Sequence, residues 1–436
     1  MARRRRALSA ARLAGTILAC GTALAACRRA DGPAVLRFWA FGREGEVVRE
    51  MIPDFERRNP GLRVEVQQVP WTAAHEKLLT AYVGRQTPDL VQIGNTWIPE
   101  LVSLEALEPL DSRLARSTVL ASRDYFPGIW DTNVLDGTVY GIPWYVDTRV
   151  LFYRGDLLRA AGMPGPPRTW DEWRKALRLL KTSAKPGGFA ILLPTDEWAQ
   201  PTILGLQAGA SLLRDGGRYG AFRAPEFRRA ATFYVSLFEE GLAPAVTNAQ
   251  VSNVYQQFDG GDFGMWITGP WNLGEFRRRL APSRQDVWDT APLPAPGPSA
   301  GEPGLSIAGG SSLAIFKASR KKDDAWKLVE YLSAPERQLR FYALSGDLPA
   351  RTEAWDDPAL RDDPKAAAFA TQLRHVAAAP KVPEWESIAT RLFEHLDRVI
   401  RRQSTLDAAL AALDADADRI LEKRRWLLER RSPDAR

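Results

Sequence analysis

A regular alternation of strand and helix patterns near the start of the chain most constrains its fold. Apolar strand patterns cover residues 35–39, 62–69 and 90–93, and a helical spacing of apolar residues covers 46–58 and 72–85. The order β-α-β-α-β is typical of a mainly parallel sheet with helices on its faces. We therefore expect an α/β fold.

Each of these three strands ends on a tryptophan or is followed closely by one. Trp39 closes the first strand, Trp71 follows the second and Trp97 follows the third. Ligands of such sheets bind beyond the carboxyl ends of the strands, where side chains from several strands converge. An indole ring at this place can cover the apolar face of a ligand with few rotatable bonds. The three tryptophans therefore indicate a binding site at this edge of the sheet.

Length and charge narrow the class of protein. The chain has 436 residues, more than one hydrophobic core usually supports, so we expect two lobes. Its formal charge is +6, but residues 1–26 hold five arginines and no acid, and residues 423–436 hold six basic and two acidic residues. The remainder has 48 basic and 51 acidic residues. Without a broad basic face, no nucleic-acid partner is expected.

The first 26 residues have the pattern of an export signal. Arginines at positions 3–6 precede a small, apolar stretch that ends in Leu-Ala-Ala-Cys at 24–27. This ending resembles the lipobox of bacterial lipoproteins, in which the thiol of Cys27 takes the lipid. The alternative is a plain secretory signal that is cleaved just before Cys27. Both interpretations place the protein outside the cytoplasm, and the first anchors it to a membrane.

Further motifs follow one another along the chain. They are Tyr140-Gly141-Ile142-Pro143 with Leu151-Phe152-Tyr153, Pro167-Arg168-Thr169-Trp170, the block 261–271, the block 309–326 that begins with Gly309-Gly310, and the block 346–351. Their order and spacing resemble the extracellular solute-binding proteins of sugar ABC importers, the maltose-binding-protein-like family. The resemblance covers nearly the whole chain after the signal.

That resemblance implies a two-lobed periplasmic-binding-protein fold of type II, the Venus-flytrap arrangement. Mostly parallel sheets would be flanked by helices, and the chain would cross between the lobes three times. The implied boundaries are 34–144 with 313–349 for lobe one, 150–305 with 354–436 for lobe two, and hinges near 145–149, 306–312 and 350–353.

The residue types suit a sugar, which presents an apolar C–H face and a rim of hydroxyls. Indoles cover the face, and polar side chains satisfy the rim because an unpaired buried hydroxyl costs about 1–3 kcal/mol. Glycines allow backbone to approach a ligand and give a hinge its freedom. We expect the ligand to contact Trp39, Glu44, Trp71, Asn95, Trp97, Trp144, Tyr145, Asp147, Trp198, Trp271, Gly309, Gly310, Arg351 and Trp385.

Among these residues, the resemblance assigns polar contacts to Glu44, Asn95 and Asp147 and stacking to Trp271 and Trp385. Arg43 departs from the family, because many relatives have an acidic residue after the opening glycine. Other tryptophans have the surroundings of core residues. We expect Trp170, Trp173 and Trp326 to be buried in helices for this reason.

The function implied is a receptor that captures a di- or oligosaccharide by hinge closure and delivers it to the permease subunits of an ABC importer. An α-glucoside such as maltose or trehalose is favoured, and we expect a monomer with no cofactor or metal. One alternative is a receptor for a polyol or a glycerol-phosphate. A second is a carbohydrate-active enzyme that uses the carboxylates of Asp196 and Glu197, or that of Glu44.

The end of the chain leaves two interpretations open. The basic tail from Lys423 to Arg436 includes the apolar residues Trp426, Leu427 and Leu428. Such a segment can touch membrane headgroups, or it can be a solvated terminal helix.

Overall fold

The computed structural model describes residues 33–297, 301 and 303–431. The predicted signal and the predicted lipidation site Cys27 lie outside these residues. Within the described ranges, no helix is both long and apolar enough to cross a bilayer.

Strands and helices alternate along the described chain. The strands are β1 (Ala34–Phe41), β2 (Leu62–Val69), β3 (Leu90–Gly94), β4 (Val134–Leu135), β5 (Thr138–Val139), β6 (Ile142–Asp147), β7 (Val150–Arg154), β8 (Ile191–Leu192), β9 (Leu213–Arg214), β10 (Tyr219–Gly220), β11 (Met265–Thr268), β12 (Trp288–Ala291), β13 (Ser306–Ile315) and β14 (Val376–Ala378). The helices are α1 (Glu44–Arg58), α2 (Trp71–Val83), α3 (Ile98–Ser103), α4 (Asp111–Leu114), α5 (Pro127–Asp131), α6 (Gly155–Ala160), α7 (Trp170–Thr182), α8 (Ala199–Gln207), α9 (Pro225–Glu239), α10 (Val254–Asp259), α11 (Trp271–Arg279), α12 (Lys322–Ser333), α13 (Pro335–Ser345), α14 (Pro358–Arg361), α15 (Pro364–Gln372), α16 (Trp385–Ile400), α17 (Leu406–Ile420) and α18 (Glu422–Arg431).

The first sheet has the order β14-β13-β3-β1-β2, and β6 also pairs with β13. Strand β1 is parallel to both β2 and β3, as the opening alternation predicts. Helix α1 covers this sheet with the side chains of Val48, Met51 and Phe55, which recur at helical spacing and are buried. Strand β13 runs antiparallel to β3 and β6, so the sheet is mixed.

The second sheet has the order β12-β7-β11-β8. Strand β7 is antiparallel to both of its neighbours, and only β11 and β8 run parallel. The two sheets form the centres of two lobes, which confirms the predicted two-lobed α/β fold. The antiparallel pairing of the second sheet has no counterpart in the alternation that the first hundred residues show.

Short connections join the two sheets. Strand β6 belongs to the first sheet and β7 to the second, and only Thr148 and Arg149 lie between them. Strand β13 pairs with β14 through its first three residues and with β3 and β6 through the rest. The chain passes the junction again near Pro349, whose backbone bridges to Tyr145 of β6.

Apolar packing explains many of the fifteen tryptophans. Trp170, Trp173 and Trp326 are buried, as their sequence surroundings predict. Trp426 of α18 is the exception, with 49% of its surface exposed next to the exposed Leu427. The basic tail is therefore helical up to residue 431, with Trp426 and Leu427 exposed and Leu428 half-buried.

Candidate functional site

A cavity of about 560 Å³ lies between the two sheets, at the carboxyl ends of β1, β2 and β3. Ten of the fourteen predicted ligand-binding residues line it. They are Glu44, Trp71, Asn95, Trp97, Tyr145, Asp147, Trp198, Trp271, Gly309 and Gly310. The volume is within the range of about 300–1,000 Å³ that is usual for small-molecule sites.

The three opening strands deliver one wall of this cavity. Glu44 begins the helix after β1, Trp71 begins the helix after β2, and Asn95 and Trp97 follow β3. The rings of Trp71 and Trp97 meet edge to face with centroids 5.7 Å apart. The parallel register brings these strand ends to one edge, which is why segments distant in sequence share one wall.

Tyr145 connects the carboxylate of Glu44 to the buried interior. Its hydroxyl donates to Oε1 of Glu44 at 2.8 Å and accepts from Nε2 of Gln92 at 3.0 Å. The indole N–H of Trp71 donates to both carboxylate oxygens of Glu44 at 3.3 Å. Gln92 is held in turn by the backbone N–H of Phe41 at 2.7 Å. The carboxylate is therefore fixed by uncharged donors, and its hydrogen-bond partners within the described part of the chain include no cation.

Carboxyl groups give this cavity its electrostatic character. Burial raises the pKa of Glu44 above its ordinary value, and the donors from Tyr145 and Trp71 only partly offset this. Burial, together with the charge of Glu44, raises the pKa of Asp347 well above its ordinary value. Burial also raises the pKa of Asp147, against the opposing effect of Arg149. These groups lack full hydration, so polar hydrogens of a ligand would replace missing water.

Arg149 joins the first crossing to the wall of the second lobe. One guanidinium nitrogen lies 2.6 Å from Oδ1 of Asp147. The guanidinium carbon lies over the ring of Trp271, 4.6 Å from its centroid. Arg149 therefore contacts two of the residues that the sequence assigns to the ligand.

The two lobes also touch each other at the cavity. The hydroxyl of Thr96 donates to the carboxylate of Glu386, and both residues line the cavity. Burial raises the pKa of Glu386, while Thr96 and His75 lower it in part. Trp198 lines the same wall and packs edge to face on Trp385, with centroids 5.6 Å apart. This wall is thus supported from behind by a buried indole.

Backbone forms the cavity surface at Gly309 and Gly310. A Cβ at Gly310 would lie 2.3 Å from the carbonyl oxygen of Tyr145, and the φ of Gly310 is +145°. A Cβ at Gly309 would lie 2.6 Å from the carbonyl oxygen of Asp147. The close pairing of β13 with β6 therefore requires glycine at both positions.

The structure does not bring four of the predicted residues into the cavity wall. Trp39 is 8% exposed and packs under Lys77, and Trp144 is fully buried against Phe341. Trp385 is fully buried behind Trp198. For these three side chains, apolar packing takes the place of ligand contact.

Arg351 is the fourth residue, and its terminal guanidinium nitrogens contact other parts of the protein. Its guanidinium donates to the carbonyl oxygen of Val119 at 2.9 Å and lies 3.4 Å from the carboxylate of Asp124. The side chain also covers the ring of Tyr125, 5.5 Å from its centroid. Arg351 thus anchors the third passage between the sheets.

Asp196 and Glu197, the carboxylate pair of the enzyme alternative, lie outside the cavity. Both accept hydrogen bonds from the side-chain amide of Asn248, at 3.1 Å each. Surface carboxylates that share one amide do not form the opposed pair that glycoside hydrolysis needs.

Sequence reasoning missed several residues of the wall. Asp347 lies inside the motif 346–351, from which only Arg351 was predicted to bind the ligand. Glu386 directly follows Trp385, which was predicted in its place. Arg149 lies in the predicted first crossing. The other residues that were missed are Arg43, Gly94, Thr96, Ala199, Glu275, Ile307, Ala308, Ser311 and Ser345.

Comparisons with known proteins agree with this geometry. The family model of the bacterial extracellular solute-binding protein matches residues 42–339. The structure of the sugar-binding protein MalE from the phytopathogen Xanthomonas citri is similar, with 49% identity and a TM-score of 0.86 over 92% of this chain and 100% of that one. A putative binding protein of Brucella abortus is 28% identical over 87% of this chain and 91% of its own. The diacetylchitobiose binding protein DasA of Streptomyces coelicolor is 26% identical over 83% of each.

Proposed function

Because this chain belongs to the bacterial extracellular solute-binding protein family, we propose that it captures a di- or oligosaccharide as the receptor of an ABC sugar importer. It is a binding protein that acts outside the cytoplasm, and the prediction that it is not an enzyme is confirmed. The similar protein of Xanthomonas citri is a sugar-binding protein, and DasA binds diacetylchitobiose.

One observation carries the proposal of a saccharide: indole rings and carboxyl groups share one cavity. Trp71, Trp97, Trp198 and Trp271 supply rings that can cover the apolar face of a sugar. The carboxylate of Glu44 is held by Tyr145 in a fixed orientation, where it can accept hydrogen bonds from hydroxyl groups. Because two walls from two lobes contribute, a ligand of more than one ring could contact both.

Charge favours a neutral saccharide over a phosphate ester. The cavity wall holds the acidic side chains of Glu44, Asp147, Glu275, Asp347 and Glu386, and its arginines are Arg43 and Arg149. Arg149 is already paired with Asp147. A phosphate would meet more carboxylates than free cations, and burying it there would cost energy without compensation.

The proposal includes how the receptor works. Ligand would bias a hinge equilibrium towards the closed form by binding that form better, and the closed form would be presented to the permease. We propose a monomer with a maltose- or trehalose-like α-glucoside as cargo and lipid on Cys27. The proposed lobes are 34–144 with 313–349 and 150–305 with 354–436, with hinges near 145–149, 306–312 and 350–353.

The test is a titration of the chain without residues 1–26 against glucose, maltose, trehalose, maltotriose, sorbitol and glycerol 3-phosphate. Intrinsic tryptophan fluorescence and thermal shift report binding, and chromatography checks the sugar for products. We expect a saturable response to a di- or trisaccharide and an unchanged sugar. A response to glycerol 3-phosphate alone, or conversion of any sugar, would contradict the proposal.

A pair of variants ties the response to the cavity. Trp71→Ala should weaken sugar binding at least about tenfold, because it removes a large, half-buried ring from the cavity wall. Trp130→Ala is the matched control, since Trp130 is also half-buried but packs on Tyr125 outside the wall. Equal effects of the two substitutions would show that the sugar does not bind at this cavity.

A further inference from the structure

Arg149 is held at the first crossing by its backbone. Its N–H donates to the hydroxyl of Ser306 at 3.1 Å, and that hydroxyl donates to the carbonyl oxygen of Arg149 at 2.8 Å. Ser306 begins β13, so residues from two crossings fix each other. The side chain extends from this fixed point into the cavity wall.

The guanidinium of Arg149 pairs with Asp147, a residue to which the family resemblance assigns a polar contact with the ligand. Its nitrogen lies 2.6 Å from Oδ1 of Asp147, and 15% of the side chain of Arg149 is exposed. An ion pair at this distance occupies one of the acceptor sites that the carboxylate could otherwise offer to a sugar hydroxyl.

The guanidinium also lies over the ring of Trp271, and backbone approaches the same ring closely. A Cβ at Gly269 would lie 1.9, 2.4 and 2.6 Å from three consecutive carbons of the indole. Such similar distances place that point over the face of the ring, since an approach at the ring edge would leave the flanking carbons farther away. Gly269 thus covers one face, and the guanidinium carbon of Arg149 lies 4.6 Å from the ring centroid.

We infer that Arg149 is an internal competitor of the ligand: it occupies the face of Trp271 and the carboxylate of Asp147, and it must leave both before a sugar can bind there. This rests on the proposed function and deepens it. Arg149 then determines affinity and specificity, because a ligand must offer both a C–H face for the ring and a hydroxyl for the carboxylate.

Substitution of Arg149 tests this inference against the opposite role, in which Arg149 stays and donates to the ligand. Isothermal titration with maltose and trehalose should show that Arg149→Ala binds about three- to thirtyfold more tightly than the wild type, the factor expected for the loss of one competing ion pair and one cation–π contact. Arg149→Lys should lie between the two. Weaker or unchanged binding by Arg149→Ala would overturn the inference.

Lys77→Ala is the matched control. Lys77 also lies over an indole, that of Trp39 at 4.8 Å, but neither residue lines the cavity. Its affinity for sugar should stay within twofold of the wild type. A gain equal to that of Arg149→Ala would assign the effect to general loosening, and the inference would be wrong.

A second measurement needs no sugar. Acrylamide quenches tryptophan fluorescence, and the contribution of Trp271 is the quenching of a protein minus that of its Trp271→Phe variant. We expect this difference to be larger in the Arg149→Ala background, because the ring face is uncovered, and an unchanged difference would overturn the inference. If no variant binds a sugar while the quenching rises, the proposed function fails and the cover over Trp271 stands.

Discussion

Replacing Tyr145 by phenylalanine tests whether the carboxylate of Glu44 depends on uncharged donors. The substitution keeps the ring, which packs against Trp144 and Phe341. It removes the hydroxyl that donates to Glu44 at 2.8 Å and accepts from Gln92 at 3.0 Å. Gln92 keeps Ser311 as an acceptor at 3.2 Å, so Glu44 bears most of the loss.

The size of the loss depends on whether Glu44 is charged. A hydrogen bond to a charged group contributes about 1.5–3 kcal/mol, and one between neutral groups contributes about 0.5–1.5 kcal/mol. Burial already raises the pKa of Glu44, and losing Tyr145 raises it further. A group with a raised pKa in the folded state loses its stabilising contribution as the pH rises through that pKa. Tyr145→Phe should therefore cost about 1 kcal/mol more at pH 8 than near pH 4.5.

Equilibrium urea unfolding of the sugar-free protein at the two pH values measures this difference. Tyr331→Phe is the matched control, because that hydroxyl also donates to a carboxylate, Asp54, at 3.1 Å. The hydroxyl of Tyr331 and three arginines lower the pKa of Asp54 below its ordinary value despite some burial, and the arginines remain in the variant, so Asp54 stays ionised at both pH values. The control should lose the same stability at each pH. A loss for Tyr145→Phe that is equally independent of pH would refute the reasoning.

Two further substitutions probe the cavity from other sides. Gly310→Ala should reduce the free energy of unfolding in urea by about 2–4 kcal/mol, because of positive φ and the contact with Tyr145. Gly297→Ala, with no atom of the described residues within 4 Å of the new Cβ, should change it by less than about 0.5 kcal/mol, and similar losses for both would contradict this. Asp347→Asn should raise the urea midpoint above that of the wild type at pH 8, and the gap should close by pH 4. The reason is that burial and Glu44 raise the pKa of Asp347, whose contribution to stability is present at low pH and is lost on ionisation. A gap that did not vary with pH would show that the carboxyl does not titrate as argued.

The spacing of apolar residues and the parallel order of the opening strands made part of the site predictable. The three opening strands are parallel, so Trp71, Asn95 and Trp97 had to converge once the strands were recognised. Trp39 does not reach the cavity because β1 continues to Phe41, which leaves Trp39 two residues short of the strand end. Its side chain therefore packs on the sheet below Lys77 rather than beyond its edge.

The sequence does not distinguish which of two adjacent residues reaches the cavity. Trp144 and Tyr145 are neighbours on β6 and both rings pack on Phe341, but only Tyr145 lines the cavity. The register of β6 against β13 shifts at this point, so simple alternation along a strand does not predict which of the two rings reaches the cavity. Trp385 and Glu386 begin α16, where Trp385 is buried in the lobe and the carboxylate of Glu386 lines the cavity. Such choices depend on packing between segments hundreds of residues apart.

Strand β13 has a consequence for the order of events during synthesis. Gln92 and Ser311, which it brings into contact, are 219 positions apart, and Arg149 and Ser306 are 157 positions apart. Contacts of such separation form late, because a long loop must close before they contribute. Until residues 306–315 emerge from the ribosome, strands β3 and β6 lack their shared partner and the first lobe cannot finish folding. The first lobe therefore stays incompletely folded until most of the chain has been made, which suits passage through a translocation channel.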